Sequence, residues 1–263
     1  MKIAILGAGA FGTALGGILA EKGHDIDYYD SKVEREKLSD VVADAKITVL
    51  CTPSKAVPYL LPHLPKEKLL IVATKGILGD ECFADFRDYS VLSGPGFAAD
   101  IKAHKKTFLT VTDEKTGELF KTDYLNFDYT DDKKGVLLCG ALKNVYALLS
   151  GYLDFKPDTL EWEKFILQTA EEMQALLSAN GACSETVDLA CGIGDLRLTC
   201  NLPSRNYEFG QLMRKDIHIT PNKTVEGLST LSKIIRREIE VPESCARLKE
   251  IIALETKRRG TWD

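Results

Sequence analysis

The chain has 263 residues, a formal net charge of −5, 44% hydrophobic and 28% charged residues. That length allows one large or two ordinary domains with real cores, and the composition excludes a disordered or fibrous chain. The acidic balance argues against a nucleic-acid partner and leaves room only for a local basic pocket.

The seven cysteines (51, 82, 139, 183, 191, 200 and 245) are odd in number and contain no C-x-x-C. A disulfide framework and a metal site are therefore not expected, and most of these cysteines read as small core residues. Met-Lys leads directly into a strand with no signal-peptide pattern, which points to a reducing cytoplasm.

Lys2 to Leu6 is a continuous apolar run, as in a buried parallel strand. It enters Gly7-Ala8-Gly9-Ala10-Phe11-Gly12, and a helix follows to about Lys22, with Gly23 as its stop. This is G-x-G-x-x-G in the strand–turn–helix setting that dinucleotide binding requires. Gly7 permits the tight turn, Gly9 admits a pyrophosphate, and Gly12 lets the helix lie close to the strand. The helix start then offers N–H groups and a positive dipole end to the phosphates.

Asp25 to Tyr29 alternates like a second strand, closed by Asp30, 18 residues after Gly12. That is near the spacing of the acid that bonds the adenosine ribose 2′-OH and repels a 2′-phosphate, favouring NAD over NADP. Asp is also a common turn residue, and Lys32 and Arg35 follow closely. The span from Ser31 to Lys46 is short for a crossover containing another strand.

Further strands are expected at Lys46–Cys51, Leu69–Ala73 and Ser90–Ser93, with a helix from Lys55 to about Leu64. Three strand ends carry Thr52-Pro53-Ser54, Thr74-Lys75-Gly76 and Gly94-Pro95-Gly96-Phe97, where open parallel sheets bind ligands. Lys75 reads equally well as a solvated loop lysine. Lys106–Thr112 and Tyr124–Tyr129 suggest two more strands at the sheet edge.

From about Asp132 the pattern becomes helices alone. Gly135–Leu153 is apolar nearly all round, the mark of a buried helix. A membrane span is disfavoured by Lys143, Asn144 and two glycines in its middle. Lys143 is then either a core stem whose amine snorkels to water or an amine in a partly dry pocket, usable as a proton donor.

Leu160–Asn180 has helical spacing and ends at Gly181. A shorter helix from Ser184 leads to Gly192-Ile193-Gly194-Asp195. Asp195 reads first as a helix N-cap and second as a carboxylate beside Lys143. Ser204-Arg205-Asn206 opens a helix to about Arg214 and makes a ready anion site, with Ser204 as a simple cap the competing account. Thr224-Val225-Glu226-Gly227 starts the next helix with a cap-like Thr, and Pro242 begins the last. Lys257 to Arg259 reads as a solvated tail. The fold expected is α/β: a Rossmann-type, doubly wound, mostly parallel sheet over 1–131, followed by an all-α substrate domain over 132–263.

Several stretches together resemble the NAD(P)-dependent glycerol-3-phosphate dehydrogenases of the soluble bacterial type. They are Gly7–Gly12, Thr74–Ile77, Leu92–Ala98, Gly135–Asn144, Gly192–Asp195 with Leu198–Cys200 and Ser204–Asn206, and Val225–Gly227. The resemblance implies reduction of dihydroxyacetone phosphate to sn-glycerol 3-phosphate for glycerophospholipid synthesis, by a homodimer with a small phosphorylated triose as partner. It implies Lys143 as the catalytic lysine with Asp195 beside it. Lys75, Gly94, Gly96, Ser204, Arg205 and Asn206 would bind substrate. Gly7, Gly9, Ala10, Phe11, Gly12, Asp30, Lys75, Ala98, Arg205 and Glu226 would bind NAD, with NADP also allowed.

Three features depart from that family. Gly96 stands where a Ser or Thr is usual, the Tyr29–Lys46 segment is short, and the C-terminal helices are trimmed. Two rivals stay open: a two-domain dehydrogenase of hydroxyacids or sugar acids, and a non-catalytic NAD-binding regulator.

Overall fold

The computed structural model describes residues 1–31 and 37–260 and divides into two compact units, Met1–Val136 and Leu137 onward. Lys32 and Arg35 lie outside the described residues.

In the first unit, seven strands form one sheet: β1 (Lys2–Leu6), β2 (Asp25–Tyr29), β3 (Ile47–Leu50), β4 (Leu69–Val72), β5 (Tyr89–Ser93), β6 (Thr107–Val111) and β7 (Leu125–Tyr129). Their order is β2-β1-β3-β4-β5-β6-β7. The first five are parallel, β6 runs antiparallel to β5, and β7 is parallel to β6. The chain moves outward from β1 to β2 and returns past β1 to β3, so the order reverses between β1 and β3. Open α/β sheets bind ligands at the carboxyl ends of strands at such a reversal.

The helices of this unit are α1 (Ala10–Glu21), α2 (Leu38–Ala43), α3 (Val57–Leu60), α4 (Ala98–Lys102) and α5 (Glu114–Phe120). One core joins Ile3, Ile5, Val49, Ile71 and Leu92 of the strands to Ala14, Leu15, Ile18 and Leu19 of α1. Ile3 and Ile5 alternate along β1 and the α1 residues follow the helical repeat, so one face of each meets in this core, while Ala4, Leu6, Leu50 and Val72 bury the other face of the sheet. Among the described residues β2 is an edge strand, as the short 30–46 segment leads one to expect.

The single helix expected over 55–64 is instead three short pieces: 3₁₀ turns at Ser54–Ala56 and Leu61–His63 around α3. Pro58 and Pro62 each sit in the first turn of a piece, where a missing N–H is tolerated. Neither could sit inside one continuous helix without removing a hydrogen bond.

The second unit is helical: α6 (Lys133–Leu153), α7 (Leu160–Ala179), α8 (Asp195–Thr199), α9 (Arg205–Lys215), α10 (Glu226–Ile235) and α11 (Ala246–Arg259). The unit boundary falls inside α6. A window of α6 is apolar enough to cross a bilayer, yet 89% of that window is buried inside the protein. It is a core helix.

Helix α9 reaches α6 through glycine. A Cβ on Gly210 would collide with the Leu148 carbonyl oxygen and stand 2.9 Å from the Tyr152 nitrogen. Both obstacles are helix backbone and cannot rotate away. Gly210→Ala is therefore expected to destabilise the protein by about 1–3 kcal/mol, the usual cost of overpacking. A urea midpoint equal to that of the parent would refute this account of the contact.

The start of α11 corrects the expectation that Pro242 opens the last helix. The helix begins at Ala246 because its cap comes from α7. Arg247 and Leu248 donate their N–H groups to the Glu172 carboxylate at 2.7 and 3.0 Å, a favourable place for a negative charge. Tyr146 of α6 donates its hydroxyl to the same carboxylate at 3.0 Å. Burial, together with this neighbouring charge, holds the Tyr146 phenol well above its ordinary pKa.

The charged tail is likewise not simply solvated. Arg258 Nε and Arg259 Nε each donate to the fully buried Glu255 carboxylate at 2.6 Å. Thr224 is not the cap of α10 either: Val225 occupies that position, without a side-chain bond.

Candidate active site

Within the first unit, the turn after β1 has the form phosphate binding needs. Gly7 adopts φ +103°, in the region that favours glycine, and its N–H donates to the Tyr29 carbonyl at 2.7 Å. A Cβ on Gly12 would strike the Gly7 carbonyl oxygen, so α1 starts hard against the turn. Gly9 is exposed and a Cβ there would meet nothing within 4 Å. It is the α1 N-cap, and the first turn has neither a side-chain cap nor an acidic residue. The N–H groups at Ala10, Phe11 and Gly12 are thus left to an anion. This cradle fits the pyrophosphate of a dinucleotide.

Asp30 has a second duty beyond that read from its spacing. Its Oδ2 accepts the Ala8 N–H at 3.1 Å, so the carboxylate ends β2 and pins the glycine turn. On the other side of the turn, the Lys75 amine lies 5.2 Å from the Phe11 ring centroid, a cation–π contact. Lys75 is half-buried at the carboxyl end of β4. Burial pushes the nearby Cys51 thiol up to about 12, against the pull of the Lys75 charge. The solvated-lysine reading of Lys75 is thereby weakened.

Gly94, Gly96 and Ala98 follow β5 into α4. Gly94 has φ +144°, and a Cβ there would stand 2.9 Å from Leu109 Cα. A Cβ on Gly96 would meet Ile101 Cδ1 and Leu109 Cδ2, both at 3.2 Å. Its direction is toward apolar side chains.

In the second unit, Lys143 and Asp195 form an ion pair between α6 and α8, and their side chains are only 3% and 1% exposed. Thr199, one turn along α8, donates its hydroxyl to Asp195 Oδ1 at 3.3 Å. Asp195 is thus the first residue of α8 and not its N-cap, which is Gly194. The carboxylate-beside-lysine reading is the one the geometry supports. Arg197 holds α8 to α7 through two 2.7 Å bonds to Glu163.

Ser204 caps α9 by accepting the Tyr207 N–H at 3.5 Å. Next to it Arg205 is exposed and has no bonded partner among the described residues. Asn206 is buried and points the other way. Its amide donates to Asn144 Oδ1 at 2.8 Å, and its oxygen accepts the Gly227 N–H at 2.9 Å. It therefore ties the residue after Lys143 to the first turn of α10, which Glu226 opens. Asn144 is anchored in turn by donating to the Gly140 carbonyl at 3.0 Å.

Known proteins resemble this chain along its length. Family profiles for NAD-dependent glycerol-3-phosphate dehydrogenase match residues 2–39 with the N-terminus and 132–243 with the C-terminus. The glycerol-3-phosphate dehydrogenase [NAD(P)+] of Carboxydothermus hydrogenoformans is 31% identical, covering 100% of this chain and 95% of its own. That of Citrifermentans bemidjiense is 30% identical, covering 97% and 89%. The chain belongs to the NAD-dependent glycerol-3-phosphate dehydrogenase family. It is an NAD(P)-dependent oxidoreductase with the fold of that family. The glycerol-3-phosphate dehydrogenase structure from Coxiella burnetii superposes with a TM-score of 0.81 at 25% identity, covering 95% of this chain and 94% of that one.

The Carboxydothermus alignment spans 322 positions, more than the 263 residues here, so the relative carries segments that this chain lacks. Sequence reasoning missed three residues that support this candidate site: Asn144, Thr199 and Arg197. The spacing of Thr199 four residues after Asp195 was a usable signal, since such a pair shares a helix face. Nothing local pointed to the other two, whose side-chain partners, Asn206 and Glu163, lie on different helices.

Proposed function

We propose that the protein reduces dihydroxyacetone phosphate to sn-glycerol 3-phosphate with NADH, reversibly, supplying the backbone of glycerophospholipids. Residues 1–131 hold the dinucleotide and 132–263 supply the proton and the phosphate grip. The observation that carries the reading is the buried Lys143–Asp195 pair. A lysine held almost wholly inside a helical core needs a reason, because burying a charge is costly. Proton donation to a reacting oxygen supplies one.

The hydride for the ketone carbon would be supplied by the nicotinamide of a bound dinucleotide. The chain does the rest. Lys143 polarises the carbonyl and protonates the oxygen that becomes an alkoxide. Asp195 orients the amine, and Thr199 orients Asp195. Arg205, with Ser204 and the α9 N-terminus, grips the phosphate, so that binding energy remote from the reacting carbon fixes its position. By the family resemblance, Lys75, Gly94 and Gly96 are further substrate residues, and Phe11, Ala98 and Glu226 further cofactor residues. The spare amide N–H of Asn206 is the part of that side chain left for substrate. The reading includes a homodimer in the cytoplasm, a compartment that suits seven free thiols.

The deciding experiment is NADH oxidation with dihydroxyacetone phosphate, run beside a set of hydroxyacid-type keto substrates. Turnover of the phosphorylated triose alone supports the proposal. Turnover of keto acids alone favours the first rival, and no turnover with tight NADH binding favours the regulator.

Asp30 predicts the cofactor preference in the same assay: kcat/KM should be higher with NADH than with NADPH. Because Asp30 also holds the Ala8 N–H, the informative variant is Asp30→Asn, which keeps an acceptor and removes the charge. It should narrow the preference without losing NADH binding. Equal use of both cofactors by the unaltered protein would end this reading of Asp30.

A further inference from the structure

Two buried hydroxyls at the carboxyl ends of parallel strands have no hydrogen-bond partner among the described residues: Thr52 Oγ1, just after β3, and Ser93 Oγ, on β5. Ser93 is in register with Thr110 of β6, away from the point where the strand order reverses. Thr52 is at that point. β1 and β3 are neighbours, and a Cβ on Gly7 would lie 3.0 Å from the Thr52 nitrogen. The Thr52 carbonyl accepts the Thr74 hydroxyl at 2.9 Å, so its backbone is fixed between the ends of β1 and β4.

A buried hydroxyl left unpaired is unfavourable, and native proteins satisfy most such groups. Thr52 as a residue is only half-buried, so part of it faces the open end of the sheet. One step about χ1 moves its oxygen to another staggered position with no change in the backbone.

The placement also says which part of a ligand it would meet. Asp30 ends β2, on one side of β1, and is the group placed for the adenosine ribose. The pyrophosphate cradle ends β1 itself. β3 lies on the opposite side of β1, so the next sugar of an extended dinucleotide falls at its end.

We propose that Thr52 is a cofactor-binding residue whose hydroxyl bonds the ribose on the nicotinamide side of the dinucleotide. The proposal rests on the dinucleotide reading above. It assigns Thr52 a role in binding and none in the chemical step.

The test is titration of the intact protein with NADH, ADP-ribose and ADP, for the parent, Thr52→Val and Thr52→Ser. Val keeps the shape and removes the hydroxyl, while Ser keeps it. ADP-ribose contains the second ribose, and ADP does not. Thr52→Val should weaken NADH and ADP-ribose by a similar factor, about fivefold for one neutral hydrogen bond. ADP should be unaffected, and Thr52→Ser should bind like the parent. Without ligand, the melting temperature of Thr52→Val should equal or exceed that of the parent, because the hydroxyl it removes has no partner there.

If the parent binds NADH and Thr52→Val binds it equally well, the role of Thr52 is overturned and the dinucleotide reading stands. An equal loss of ADP affinity, or a lower melting temperature without ligand, also overturns it, since the hydroxyl would then be supporting the turn. A parent that binds none of the three overturns both.

Discussion

Lys143→Met is expected to lower kcat by roughly 10²–10⁴, the range for loss of one general acid, while NADH binding to the Gly7–Gly12 turn survives. The structure adds a cost that the helix alone does not reveal. Considered by itself, a lysine in an apolar helix looks like a group whose removal should stabilise the fold. Its partner on α8 reverses that expectation. Asp195 is 1% exposed, and Met at 143 strands its charge in the core. Breaking a buried pair from one side typically costs about 3–5 kcal/mol. Lost activity could then be mistaken for lost folding. The double variant Lys143→Met/Asp195→Asn separates the two, because the amide can still accept the Thr199 hydroxyl and no charge is stranded. Its unfolding midpoint should recover toward that of the parent while kcat stays low. A Lys143→Met protein with kcat within a few-fold of the parent would falsify the assignment and leave the buried pair as packing.

What could be read from the sequence follows from the range of the forces involved. β1, α1 and β2 were legible almost to the residue, because the apolar run, the glycine turn and the stop at Gly23 are local signals. The same holds for α7, expected over Leu160–Asn180 and found over Leu160–Ala179. Where a neighbour distant in sequence decides, reading failed. The start of α11 is set by Glu172 of α7. The tail arginines are the exception: their partner Glu255 lies one turn back on the same helix, a local i, i+3 and i, i+4 signal that the solvated-tail reading overlooked. Pro58 and Pro62 gave a local warning that the apolar periodicity of 55–64 concealed.

The site divides along the same line. The residue types at Gly7, Gly9 and Ser204 predict their geometry because a turn or a cap needs only near neighbours. The pairing of Lys143 with Asp195 was an option that sequence alone ranked below a cap, since no spacing rule links two different helices. Asn206 shows a further limit. Its position next to Arg205 suggested a ligand contact, yet most of its hydrogen bonding is committed to Asn144 and Gly227. Two adjacent residues on one helix face different sides, since each step turns the direction by about 100°. Arg205 is left facing solvent and Asn206 facing the core.

That outward position makes Arg205 the cleanest place to separate binding from stability. Arg205→Ala is expected to raise KM for dihydroxyacetone phosphate sharply and to lower kcat/KM by the equivalent of about 2–5 kcal/mol, as when one partner of a desolvated charge pair is removed. The melting temperature should barely move. The side chain is exposed, it has no bonded partner among the described residues, and such surface substitutions usually stay within about 0.5 kcal/mol. Ser204 keeps the α9 cap in the variant, so the helix N-terminus still attracts an anion and some phosphate affinity should persist. Arg205→Lys should restore activity only in part, because a point charge cannot match the two-pronged guanidinium. Ionic strength offers an independent check: raising salt should increase KM for the parent more than for Arg205→Ala, since only the parent has that charge to screen. If the unaltered protein reduces dihydroxyacetone as efficiently as its phosphate, Arg205 has no phosphate to hold and this assignment fails, whatever the variant does.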